Sequence, residues 1–119
     1  MAQAELEKKV ELNWLMAFYG PLLTEKQREA LHMHCEEDLS LGEIAAEAGS
    51  SRQAVYDLLS RAARQLFDLE EKLHMAARFS RMQQGLEDCQ AALAQARYDD
   101  AMATIRSLIA LDQEDGNGL

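Results

Sequence analysis

Ser40-Leu-Gly-Glu-Ile-Ala-Ala-Glu-Ala-Gly-Ser-Ser-Arg-Gln-Ala-Val-Tyr-Asp57, residues 40–57, reads as two short helices hinged at a single glycine. That outline is a helix-turn-helix. Ala45 is small where the two helices would touch, Gly49 can take a positive φ without a Cβ penalty where the chain turns, and Val55 points back into the core. Ile44, Leu58 and Leu59 complete a shared apolar seam. Ser40 precedes the first helix with Glu43 three residues on, the spacing of a reciprocal capping box, and Ser51 can cap the second helix one-sidedly.

The surroundings of this stretch are helical too. Hydrophobic residues make up 48% of the 119-residue chain, there is 1 proline, and no run alternates in β-branched residues. An all-α fold follows, with a helix-turn-helix that lacks a winged element. Upstream, Leu6, Val10, Trp14, Ala17 and Phe18 share one helical face, and Leu15, Met16 and Tyr19 widen it beyond a simple stripe. Gly20-Pro21 ends that helix, and Thr24 with Gln27 forms a second capping box. Downstream, Leu59, Ala62, Leu66, Leu69, Leu73 and Ala76 recur at three and four, and Phe79, Met82, Leu86, Cys89, Leu93 and Ala96 repeat the pattern. This predicts a long helix of coiled-coil-like spacing, with a short step between Ala76 and Phe79 and weakened by Gly85.

The expected organisation is a helix-turn-helix domain over residues 1–80, with helices at about 5–19, 24–37, 41–48 and 51–75. A C-terminal helical arm follows over 81–112, and a frayed tail over 113–119. Arg97-Tyr-Asp-Asp breaks the arm, and Asp99 or Asp100 can cap a last helix.

The charge pulls against the motif. Lys and Arg number 12 against 21 Asp and Glu, a formal net charge of −9, whereas DNA-binding surfaces are basic at least locally. Between Ser50 and Gln65, however, Arg52, Arg61 and Arg64 face Asp57 alone. In the nucleic-acid reading Arg52 and Gln53 open the recognition helix, where arginine suits a guanine edge and glutamine an adenine edge. Tyr56, Ser60, Arg61 and Arg64 follow along the exposed face toward phosphates, and Ser51 with the first free N–H groups offers an anion site. The plainer reading makes Arg52 and Gln53 solvated first-turn residues and pairs Arg61 and Arg64 with Asp57, Asp68 or Glu71.

Other chemistries find little support. The chain has no glycine-rich phosphate loop, no nucleophile with a base at helical reach, and no pair of carboxylates set apart by an apolar site. A non-enzyme without cofactor is expected. His32, Cys35 and Glu36 could share a helix face, but no second cluster completes a metal site. Cys35 and Cys89 are expected as reduced thiols. No apolar stretch approaches the roughly 18 residues of a membrane span, and Met-Ala-Gln-Ala-Glu lacks the form of a signal peptide. The expected setting is cytoplasmic, without membrane insertion.

Asn13-Trp-Leu-Met-Ala-Phe-Tyr-Gly-Pro-Leu-Leu-Thr-Glu-Lys-Gln, Glu37-Asp-Leu-Ser-Leu-Gly-Glu-Ile-Ala, Ser51-Arg-Gln-Ala-Val-Tyr-Asp and Glu70-Glu-Lys-Leu-His together resemble the YlxM family of small bacterial helix-turn-helix proteins. Residues 24–67 also resemble region 4 of the bacterial RNA polymerase sigma factors. The first resemblance implies an accessory or regulatory role in the signal recognition particle pathway, since YlxM-like genes lie beside those for the particle's GTPase and its receptor. It also implies a homodimer. Ser50 departs from the pattern, standing where an apolar residue ordinarily packs into the seam, and His32-Met-His-Cys-Glu replaces a more aromatic stretch.

Two functions are therefore expected of the sequence. In one, the recognition helix docks on DNA or RNA. In the other, the helix-turn-helix is a scaffold and the acidic surface with its arm binds the particle's GTPase or its RNA-bound form. The apolar surplus marks Trp14, Leu15, Phe18, Tyr19, Leu66, Leu69, Leu73, Phe79 and Met82 for a dimer or partner interface.

Overall fold

The computed structural model describes the backbone of residues 2–117 and the side chains of residues 8–111. Every regular element among them is helical: α1 Ala2–Tyr19, a 3₁₀ turn Gly20–Leu22, α2 Glu25–Cys35, α3 Leu41–Ala48, α4 Arg52–Leu73, α5 Met75–Ala94 and α6 Tyr98–Asn117. The chain divides into two compact units, residues 1–76 and 77–119.

In the first unit, local hydrogen bonds set the helix starts. The Gln27 N–H donates to Thr24 Oγ1 at 3.2 Å and the Thr24 N–H to Gln27 Oε1 at 3.0 Å, closing one capping box. The second pairs the Glu43 N–H with Ser40 Oγ at 3.1 Å and the Ser40 N–H with Glu43 Oε1 at 3.0 Å. Accepting that backbone N–H holds the Glu43 carboxyl below its usual range. Gly49 ends α3 at φ 65°, and the N–H groups of Gly49 and Ser50 both close on the Ala45 carbonyl. A Cβ at Gly49 would meet nothing within 4 Å, so a substitution there is strained by conformation alone. Gly49→Val is expected to cost about 1–2 kcal/mol in urea denaturation, and Gly49→Asn distinctly less, because asparagine tolerates the left-handed region.

The core is built where α1, α2 and α3 close on α4. Leu12, Leu15 and Tyr19 of α1 meet Ala30 and Leu31 of α2, Ile44 and Ala45 of α3, and Val55, Leu59, Ala62 and Leu66 of α4. This corrects the expected face of α1. Leu12, Leu15 and Tyr19 turn inward, leaving Val10, Trp14 and Ala17 exposed, because both sides of the helix are apolar and packing selects the one that meets α4. The side chain of Leu6 lies outside the described residues. Beside the exposed Ser50 lies a cleft of about 340 Å³ whose lining includes Ala30, Met33, Ile44, Val55 and Leu58.

The α2–α3 connection is tied back to α1. Lys9 bonds Asp38, which sits at φ 56°, and the Leu39 N–H reaches the Met33 carbonyl at 3.0 Å. That ammonium holds the Asp38 carboxyl below its usual range. His34, half-buried beside the pair, has its pKa lowered by burial first and by Lys9 second. An imidazole whose folded pKa is depressed takes up its proton more readily in the unfolded chain. Its contribution is complete above about pH 6.5 and is lost as pH falls through the folded value. The urea midpoint is accordingly expected to drop between pH 7.5 and 5.5, above the carboxylate window, and that drop should shrink in His34→Gln.

α4 does not run on into the arm. His74 takes φ 55° and ends it, and α5 restarts at Met75. The helix expected over about 51–75 thus ends at Leu73, and the interruption expected between Ala76 and Phe79 falls at His74 instead. The restart is held by Tyr19, whose hydroxyl donates to Glu70 Oε1 at 2.6 Å and accepts the Met75 N–H at 3.0 Å. The same Glu70 oxygen accepts the Ala76 N–H at 3.0 Å. With α5's first two N–H groups satisfied by side chains, a left-handed histidine can separate two helices without glycine or proline.

The second unit is a helical hairpin of α5 and α6. Small residues line the contact: Gly85, Cys89 and Ala92 on α5 and Ala101 on α6 are buried. Cys89 Sγ donates to the Ala101 carbonyl at 3.6 Å. Gly85, expected to weaken the helix, instead makes room for Leu108, since a Cβ there would stand 2.4 Å from Leu108 Cδ2. The turn closes with Ala96 at φ 57° and the Arg97 N–H on the Ala92 carbonyl at 2.8 Å. Where a frayed tail was expected from residue 113, α6 continues to Asn117, and residues 118–119 lie outside the described residues.

Candidate nucleic-acid interface

α4 presents its apolar residues on one side and the candidate contact residues on the other. Val55, Leu59, Ala62 and Leu66 recur at i, i+4, i+7 and i+11 and are buried. Gln53, Asp57, Ser60 and Arg64 repeat the same spacing on the opposite side, with Tyr56 and Arg52 along one edge and Arg61 along the other. Ser51, Arg52, Gln53, Tyr56, Ser60, Arg61 and Arg64 are all exposed. Gly49 ends α3 two residues before this face begins, and Ser51, Arg52 and Gln53 at its start are exposed, the end at which a recognition helix enters a groove.

Three details were not readable from spacing. Arg52 lies across the start of α3, close enough that a Cβ on Gly42 would stand 3.0 Å from its Nε. Gln53 Nε2 donates to Asp57 Oδ1 at 3.1 Å, so its amide is held along the helix rather than free. Ser51 Oγ accepts the Ala54 N–H at 3.1 Å, and the Ser51 carbonyl takes the Val55 N–H, which limits the expected anion site to the N–H groups of Arg52 and Gln53. Among the described residues no ion pair holds Arg61 or Arg64, so the pairing with Asp57, Asp68 or Glu71 that the plainer reading offered is not found. Asp57 is the one carboxylate on the outward stripe between residues 52 and 64, and it works against phosphate approach.

The residues expected at a dimer or partner interface separate into groups. Leu15, Tyr19 and Leu66 are corrected to core: Tyr19 and Leu66 are 0% exposed within the chain's own helices, because they fall on the sides of α1 and α4 that face each other. Phe18 is half-buried and meets Trp14 edge to face, with ring centroids 5.0 Å apart. Leu69 is half-buried and Leu73 exposed in the first unit; Phe79 is exposed and Met82 half-buried in the second. His32, considered for metal, bonds Glu36 at 2.7 Å, and burial pushes the neighbouring Cys35 thiol pKa up. Among the described residues no three His, Cys, Asp or Glu are placed to hold a metal ion, and no helix is long and apolar enough to cross a membrane.

Comparison with known proteins agrees with the helix-turn-helix fold. The family described as "Putative helix-turn-helix protein, YlxM / p13 like" (UPF0122) matches residues 6–105. A UPF0122 protein of Halalkalibacterium halodurans is 42% identical over 108 residues, covering 90% of this chain and 99% of that one. A relative from Lacticaseibacillus casei is 41% identical over 108 residues, covering 89% and 95%. One from Limosilactobacillus fermentum reaches 52% identity over 75 residues, covering 63% and 66%.

Proposed function

Because the chain belongs to the YlxM/p13-like family of helix-turn-helix proteins, we propose that it is a non-enzymatic regulatory factor that docks the outward face of α4 on nucleic acid. Its place in this reading is the cytoplasmic signal recognition particle pathway, through the particle's RNA or its GTPase. One observation carries the nucleic-acid contact: all seven candidate side chains from Ser51 to Arg64 are exposed beside a core that fixes the helix. The pathway rests on the gene neighbourhood that the family resemblance implies.

The net charge of −9 shapes the mechanism. A mostly acidic molecule repels phosphate at long range, so the arginines act only once they are close, and affinity depends steeply on salt. A second reading, a sequence-specific DNA regulator, draws support from Arg52 and Gln53 opening the helix, where bidentate contacts to guanine and adenine edges are possible. Replacing Arg52, Arg61 and Arg64 together by alanine should weaken binding of labelled RNA or DNA in fluorescence anisotropy by roughly 30-fold or more at low salt. The log–log salt slope should fall by about 2–3. Unchanged affinity would sink the assignment of α4. Capture from lysate with and without nuclease separates the partners: retention of the particle's GTPase after nuclease marks a protein contact, and a nuclease-sensitive DNA fragment marks a DNA regulator.

A further inference from the structure

α4 carries two polar side chains that act as a pair. Gln53 and Asp57 stand one turn apart on the outward stripe, both exposed, and Gln53 Nε2 donates to Asp57 Oδ1 at 3.1 Å. Asp57 has another partner within reach along the helix, since Arg61 lies one turn further on, yet among the described residues no ion pair holds the carboxylate. Its bond goes to the amide instead.

That bond settles which way the amide faces. A carboxylate offers acceptors alone, so only the Nε2 end of Gln53 can turn toward it, and Oε1 turns the other way. Among the described residues no hydrogen bond holds Oε1. One amide N–H is taken by Asp57; the second N–H and Oε1 remain, a donor and an acceptor at the start of a helix whose opposite side is buried in the core. They complement the major-groove edge of adenine, which offers its N6 amino group as donor and N7 as acceptor. Guanine offers N7 and O6, two acceptors. A free glutamine could rotate its amino group toward both, whereas one anchored at Asp57 sets its own oxygen against O6.

We propose that Asp57 is a positioning residue that anchors the Gln53 amide and so makes α4 select adenine over guanine at one base pair of duplex DNA. The role depends on α4 being the nucleic-acid face proposed above, and on a duplex, because a B-form major groove admits an α-helix and the deep, narrow groove of A-form RNA does not. It also accounts for the one carboxylate on the outward stripe. Asp57 opposes phosphate wherever α4 lands, which lowers affinity for every sequence, while it sharpens the choice among them. Specificity is then gained as a difference of affinities rather than as strength.

The test uses the full chain, with circular dichroism to verify helicity in each variant. Selection from a randomised duplex library at about 50 mM salt should return sites with adenine at one fixed position. Fluorescence anisotropy on the selected duplex, and on its copy with guanine at that position, should give an adenine-to-guanine affinity ratio of about tenfold or more. Asp57→Ala should tighten binding to both duplexes and cut the ratio to about threefold or less, and Asp57→Glu, which keeps a carboxylate one turn from Gln53, should restore most of it. Gln53→Ala should bring the ratio to about one, and Asp57→Ala added to it should move the ratio no further, as two residues acting in series require. Repulsion alone would tighten both duplexes equally, so a ratio unchanged in Asp57→Ala overturns the positioning role and leaves the α4 face standing. A ratio that still depends on Asp57 once Gln53 is gone, or adenine selected only in RNA hairpin loops, overturns it equally. Absence of duplex binding by the parent chain, or duplex binding unchanged by the triple arginine replacement, removes the duplex face itself, and the role falls with it.

Discussion

Tyr19→Ala is expected to remove about 3–5 kcal/mol from the stability of the first unit. The ring is 0% exposed and sits among Leu12, Leu15 and Leu66, so its loss leaves a cavity where α1 meets α4. The hydroxyl adds a separate effect. It donates to Glu70 and accepts from Met75, so Tyr19→Phe strips partners from a carboxylate and a backbone N–H at once and should cost about 1–3 kcal/mol. Burial and the bond to Glu70 raise the phenol pKa. Its contribution is therefore present below about pH 10 and fades as pH rises through the folded value. Urea melts of both variants give the two magnitudes, and amide exchange at Met75 and Ala76 should quicken in Tyr19→Phe. A phenylalanine variant as stable as the parent would mean that the junction is held by packing alone.

Gly85→Leu should cost the hairpin about 3 kcal/mol, the upper end for an overpacked contact. The alanine variant is the instructive control. Alanine gains about 1 kcal/mol of helix propensity, but its Cβ would stand 2.4 Å from Leu108 Cδ2 and 2.9 Å from Cγ, so the whole leucine must move. Gly85→Ala should thus lie near neutral and Gly85→Leu well below it. Amide exchange should rise across 85–108 while the helix-turn-helix keeps its protection, since the two units carry separate cores. Equal losses in both units would contradict that separation.

The helix-turn-helix was legible because its signals are local. Thr24 with Gln27, Ser40 with Glu43, Ser51 and Gly49 each act within a few residues, and each does in the structure what its spacing implies. The inward side of α1 was not, because Val10, Trp14 and Phe18 are as apolar as Leu12 and Leu15, and only the shape of α2 and α4 decides between them. The helix was expected to end near residue 75, but the means of ending it were not legible. His74 carries no breaker chemistry, and the groups that satisfy the restarting helix come from Glu70 and from Tyr19, which is 55 residues before His74. Within the α4 face, exposure followed from the seam by elimination, whereas the bond from Gln53 to Asp57 depends on rotamers that spacing does not choose. Gly85 was misread because propensity scores a glycine against its own helix, and its partner Leu108 sits on the next one.

The contact between Arg52 and Gly42 has an evolutionary corollary. Because the guanidinium rests where α3 has no side chain, residue 42 acts as a dial on the arginine: any larger residue would displace the charged group without deleting it. In the proposed reading, where Arg52 meets the nucleic acid, drift at residue 42 would re-aim that arginine while leaving it in place.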